Sequence, residues 1–268
     1  MTEVNKNVQS GGDVPVTEPQ QSFKFPTETI DLPSGGKLYG SDSPLSSGKI
    51  ELKYMTAKEE DILTSQNLIK KGVVIDKLLN SLIVTPGVTS DDLIVGDKNA
   101  VMVAARILAY GGKYTCEVIN PNTGEKQEHE FDLTQCEYKE LPEDIDYTSN
   151  NFEMVLPITN VKITYKLLTG KDEAAVIEDI KSLQKIGQSS EVTTRLKKVI
   201  TSVNGDDSVS TINNFVDNML SKESLYLREQ VSKINPDIDL YQEIDMGGEV
   251  VTVLIPMTTE FFWPKTGA

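Results

Sequence analysis

Lys53–Val84, KYMTAKEEDILTSQNLIKKGVVIDKLLNSLIV, is the stretch on which the reading of the fold turns. Thr56 followed by Glu59 is a capping box. The threonine hydroxyl accepts from the amide at the third helical position, and the glutamate reaches back to the amide of the cap itself. Such a cap contributes about 1 kcal/mol. A helix is expected from Thr56 to Lys70–Lys71, where Gly72 can take a positive φ and the lysines suit the negative helix end. In the next segment Val74, Leu78 and Leu82 stand four apart with Ile75, Leu79 and Ile83 beside them, one apolar stripe at helical period. Pro86-Gly87 stops that second helix.

Upstream, residues 1–22 are Gly, Asn, Gln, Pro and Glu with hardly a bulky apolar side chain, the composition of a disordered arm. Order is expected from Phe23, with a strand around Thr29–Leu32 and a turn at Pro33–Gly36. In Lys49–Met55 the apolar Ile50, Leu52 and Tyr54 alternate with charges, as in a half-buried strand that feeds the cap. Downstream, a third helical block is expected from Ser90-Asp91. Its Asn99–Tyr110 portion, NAVMVAARILAY, is apolar nearly all round with Arg106 the only charge, and reads as a buried central rod. A hairpin follows: Tyr114, Cys116 and Val118 alternate up to a turn at Asn120–Gly124, and Phe131 and Leu133 lie on the return strand. The acidic ELPEDIDYTSNN (140–151) reads as a linker.

Beyond the linker the pattern returns. Lys53–Glu60 aligns without gaps on Lys166–Glu173, and Thr169 with Asp172 repeats the cap with an acid one methylene shorter. Helices are expected over Asp172–Ile186, Glu191–Val203 and around Ile212–Leu220, then Leu225–Ile234. A second hairpin, Tyr241–Ile244 and Glu249–Ile255, is expected to turn at Gly247-Gly248. The fold class read from this is α+β, with internal duplication of a strands–helices–hairpin unit. The expected organisation is a disordered arm at 1–22, a first α+β lobe at 23–141 and a second at 142–268.

Composition narrows the function. The chain carries 41 acidic against 26 basic residues, a formal charge of −15, which repels phosphate backbones and argues against general nucleic-acid binding. No stretch approaches the roughly 18 consecutive apolar residues of a membrane span, and the N-terminus lacks the apolar core of a secretory leader. The single histidine, His129, and the cysteines Cys116 and Cys136 bracket one hairpin, yet three such residues fall short of a zinc cage. The expected roles are a solvated His129 and cysteines that pack. Carboxylate pairs at Glu59/Glu60, Asp91/Asp92 and Asp206/Asp207 stand at helix starts and turns, where they serve as caps. No Gly-x-Ser-x-Gly and no phosphate loop is present. No catalytic residue, cofactor or metal is expected, and the chain does not read as an enzyme.

Several stretches resemble the baseplate hub proteins of T4-like contractile-tailed bacteriophages: LPSGGKLYG (32–40), SPLSSGKIELKYMTAKEEDILTSQNLIKKGVVIDKLLNSLI (43–83), LIVGDKNAVMVAARILAYG (93–111), FEMVLPITNVKITYKLLTGKDE (152–173) and IPMTTEFFWP (255–264). Some relatives carry Cys-x-x-Cys knuckles in the hairpins. This chain has lone cysteines there, so no zinc role carries over. The resemblance implies a non-enzymatic structural component of the baseplate hub, assembled in the host cytoplasm and carried in the virion tail. Its partners would be other hub proteins and the tape-measure protein. The alternative is a transient hub or tape-measure assembly factor that leaves before the virion is complete. The candidate partner contact is the aromatic ending Phe261-Phe262-Trp263. On an extended strand consecutive side chains point to opposite faces, so two readings stand: the segment wraps over its own lobe with Trp263 closing a gap in the core, or at least one aromatic faces outward as an anchor.

Overall fold

The structure is a computed structural model that describes residues 25–187, 190–257 and 259–262; the arm at 1–22 lies outside them. In chain order the elements are β1 (Thr27–Asp31), β2 (Lys49–Lys53), α1 (Ala57–Thr64), α2 (Gln66–Lys71), α3 (Val74–Leu82), α4 (Val95–Tyr110), β3 (Lys113–Ile119) and β4 (Lys126–Asp132). They continue as β5 (Phe152–Val155), β6 (Lys162–Tyr165), α5 (Gly170–Lys185), α6 (Glu191–Val199), β7 (Ile200–Val203), α7 (Val209–Asp217), α8 (Ser221–Ile234), β8 (Tyr241–Met246) and β9 (Glu249–Leu254). The strands pair antiparallel as β1–β2, β3–β4, β5–β6–β7 and β8–β9. Small antiparallel sheets among helices make the fold α+β.

Both capping boxes form. Glu59 Oε2 accepts from the Thr56 amide at 2.9 Å, and Asp172 Oδ2 accepts from the Thr169 amide at 3.1 Å. Each acid also holds a lysine at the end of the preceding strand or just past it: Lys53 Nζ lies 2.7 Å from Glu59, and Lys166 Nζ 2.7 Å from Asp172. Ser81 adds a hydroxyl to Glu59 at 2.6 Å, so α1 is tied through its first turn to α3. Burial alone opposes ionisation of Glu59. The hydrogen bonds from Lys53, Ser81 and Thr56 together outweigh it and lower the carboxyl from its ordinary 4.5 to about 2.

Four local expectations are corrected. The first helix breaks at Ser65, whose ψ of 100° leaves the helical region. Thr64 turns its hydroxyl onto the Glu60 and Asp61 carbonyls there, the local bonding by which such residues compete with helix continuation. The third helix starts at Val95 rather than Ser90, because the backbone before it pairs with residues far along the chain. The Val95 amide donates to Leu168 O at 3.0 Å, Gly170 N to Leu93 O at 2.7 Å, and Lys171 N to Asp91 O at 3.0 Å. The helix begun at Glu191 ends at Val199, where Ile200–Val203 joins β6 as a third strand. In the first half the corresponding chain makes only the single bridge of Leu52 with Ile83. His129 is half-buried rather than solvated, with its ring 4.7 Å from that of Phe131.

Buried side chains gather in two clusters. One holds Ile50 and Leu52 of β2, the stripe of α3, much of α4 and the inner faces of β3–β4 and β8–β9; the other holds Phe152 to Ile234 with Leu38 and Ile94. The closing hairpin thus packs with residues from the start of the chain, so the clusters are not divided at the linker. Helix α4 is a rod of the first cluster that reaches the second only at its start, through Ile94 and Val95, and none of its sixteen residues is exposed. Tyr39 packs against both clusters. The linker is docked as well: Tyr147 donates to Ile234 O at 3.2 Å, and the Asn150 side chain bonds both the amide and the carbonyl of Leu167.

Two glycines allow the close approach across α4. A Cβ on Gly96 would stand 1.6 Å from Pro236 O, and one on Gly170 would stand 2.2 Å from Ser90 O. Gly96→Ala must displace backbone, and a loss of about 3 kcal/mol is expected in chemical denaturation. Gly40→Ala, with nothing within 4 Å, is expected to change stability by no more than about 0.5 kcal/mol.

The Glu59 cluster predicts acid sensitivity. Its folded pKa is depressed, so its stabilisation is complete above the ordinary 4.5 and fades as pH falls through about 2. Stability of the wild type is therefore expected to fall more steeply over that window than stability of Glu59→Gln, measured by denaturant midpoints at each pH.

Candidate functional site

The aromatic ending is placed by Arg106, the one charge in the apolar stretch of α4. Its Nε donates to Phe261 O at 2.8 Å, and its terminal nitrogens donate to Gly111 O at 3.0 Å and Lys113 O at 3.1 Å. The guanidinium lies 5.2 Å from the Tyr110 ring centroid and 5.9 Å from that of Tyr114. Burial lowers its pKa, yet a guanidinium stays charged at any working pH. A buried cation is thus held by three backbone carbonyls and two ring faces.

Thr259–Phe262 form one 3-10 turn. In that turn Phe261 and Phe262 both face inward, at 0% and 2% exposure, with their rings edge to face at 5.2 Å. Phe261 also meets Tyr114 at 5.0 Å, and the Tyr114 hydroxyl donates to Pro256 O at 3.1 Å. For those two residues this corrects the partner-contact reading in favour of the wrapped one: strand alternation does not apply to a 3-10 turn, and both rings are consumed by the core. Trp263 lies outside the described residues.

At its other end α4 buries a second charge. Asp97 accepts from the Ser34 amide at 2.9 Å, the Ser34 hydroxyl at 2.7 Å and the Tyr39 hydroxyl at 2.6 Å, while Tyr39 Oη accepts from Ile94 N at 3.0 Å. Burial pushes the Asp97 carboxyl up despite these donors, and burial together with Asp97 pushes the Tyr39 hydroxyl far up. The resembling LPSGGKLYG stretch is therefore the loop that satisfies this carboxylate. Glu223 of α8 is a third buried acid, taken up by the amides of Ile158 and Thr159 at 3.0 and 2.7 Å. Nothing in the local sequence around Glu223 announced that partner.

Two of the paired surface acids are engaged in turns. Asp92 accepts from the Thr89 amide, and Asp206 from the Ser208 amide and the Thr211 hydroxyl. Cys116 is buried opposite His129 on the neighbouring strand, whereas Cys136 lies past the hairpin. Among the described residues no group of His, Cys, Asp and Glu has the geometry of a metal site. No helix of the described residues is long and apolar enough to cross a membrane. Among the grooves on the surface of the described residues, two flank α8. One of 390 Å³ lies between α6 and α8, apolar at Val192, Leu196 and Val231, with Arg195 beside it neutralised by Glu173 at 2.6 Å. The other, of 510 Å³, runs from Asp237 and Asp239 past Leu254 to Met257.

The family model described as T4 bacteriophage base plate protein matches residues 25–263, and the chain belongs to that family. No curated protein and no solved structure matches it.

Phe262→Ala removes a fully buried ring next to Phe261, and a loss of about 3–5 kcal/mol is expected by chemical denaturation. A loss under about 1 kcal/mol would mean that the turn does not seat this ring in the core.

Proposed function

We propose that this T4 bacteriophage base plate protein is a non-enzymatic structural component of the baseplate hub, acting through contacts with other hub chains and the tape-measure protein. The observation that carries the reading is the family match over 25–263. The site geometry supports it: the buried charges Asp97, Arg106 and Glu223 are each used to hold distant backbone in place. Such a chain is built to present rigid surfaces. Its setting would be the virion tail, after assembly in the host cytoplasm. The repeated strand–cap–helix units at Thr56 and Thr169 fit a duplicated scaffold of two similar lobes, and of the aromatic ending Trp263 is the residue proposed as the anchor for a neighbour.

The second reading is a transient assembly factor for the hub or tape measure. The formal charge of −15 favours it, because a strongly charged chain stays soluble while free. Quantitative mass spectrometry of purified virions separates the two. A hub subunit is expected in fixed ratio to the other base plate chains. Its absence from virions, with abundance in the infected-cell lysate, would establish the assembly factor instead.

A further inference from the structure

The two hairpins share one core but differ on their outer faces. On β3–β4 the outward positions are Lys113, Thr115, Glu117 and Ile119 against Lys126, Glu128, Glu130 and Asp132. Ion pairs link Lys113 to Glu130 at 2.8 Å and Lys126 to Glu117 at 2.7 Å, so that face is finished for water. On β8–β9 the cross-strand pairs facing outward are Tyr241–Leu254, Glu243–Thr252 and Asp245–Val250. Three of these are large and apolar, with Tyr241 60%, Val250 68% and Leu254 53% exposed. Among the described residues no Lys or Arg forms an ion pair with Glu243 or Asp245. At its Tyr241–Leu254 end the stripe runs into the 510 Å³ groove, where Asp237 and Asp239 add two more carboxylates against one ammonium, that of Lys139, which donates to Ser232 O.

We propose that the outer face of β8–β9, with the groove at its end, is a docking surface for a partner chain that presents alternating apolar side chains flanked by Lys or Arg. Alternation follows from the face itself, because side chains along a strand repeat every second residue. Basic flanks follow from the unpaired acids, which opposite charge would neutralise as the stripe is covered. A second copy of this chain in the same pose would set like charges against each other. The inference rests on the base plate reading only for where the partner is sought.

The test places a photo-crosslinking phenylalanine analogue at Thr252 of the full chain, with Thr115 on the other hairpin as control, and irradiates infected cells before lysis. One discrete adduct is expected at Thr252 and none at Thr115, with the attached peptide carrying Lys or Arg beside apolar residues. The paired change Val250→Ser with Leu254→Ser, and the single change Glu243→Lys, are each expected to cut the adduct about tenfold, as loss of an interface anchor does. Their melting temperatures should stay at the wild-type value, since all three side chains are exposed. Four results would each overturn the proposal: no adduct, equal adducts at both positions, an attached peptide without basic residues, or attachment to residues 263–268 or to another copy of this chain. A basic partner from outside the base plate would uphold the surface and refute the hub reading.

Discussion

A charge removed from water costs several kcal/mol unless hydrogen bonds replace its hydration, and helix α4 removes two. Asp97 and Arg106 stand nine residues apart, about 14 Å along the axis. Neither charge is relieved by an ion partner. Asp97 is satisfied instead by backbone and hydroxyl groups from the remote loop at 34–39, and Arg106 by the remote carbonyl of Phe261 together with the nearby carbonyls of Gly111 and Lys113. The loop at 34–39 must therefore sit at the start of α4, and the turn at 259–262 must sit near its end. An apolar rod with two such charges fixes where both flanking segments lie.

The same requirement brings the two clusters together. Leu93 belongs to one cluster and Ile94 to the other, and the backbone on either side is bonded to 168–171. Gly170 and Gly96 let backbone come close where any side chain would collide. A seam made of main-chain bonds and absent side chains has little room to slide, because packed interiors do not deform continuously. That suits a base plate component, whose surfaces must keep their relative positions while neighbours assemble on them. It also shifts attention to the outer faces, where the two hairpins share a core yet meet water so differently.

Much of the local architecture was legible. Capping at Thr56 and Thr169, the stop at Gly72, the stripe of α3, the buried rod of α4 and both hairpins follow from spacing and residue type over a few positions. Two of the misreadings share one cause. Ser90–Ile94 has the pattern of a helix start but is recruited as a backbone partner for 168–171. Ile200–Val203 continues an apolar helical stripe but is β-branched and finds an open edge at β6. In both places a distant hydrogen-bond partner outweighed a local preference worth less than about 1 kcal/mol per residue.

The candidate site shows where sequence runs out. Three consecutive aromatics in a chain with 6% aromatic content drew attention correctly to the ending. Which way they face depends on the carbonyl of Phe261, held by a guanidinium 155 positions away. The sequence by itself determined the class of the fold, its caps, its helical and strand periods and the family to which it belongs, because those are written in neighbouring residues. Tertiary structure alone decided that the closing hairpin joins the first core, that Phe261 and Phe262 are interior, and that one hairpin face is left apolar and acidic. Burial and charge satisfaction are settled between residues far apart in the chain, and no local pattern encodes that distance.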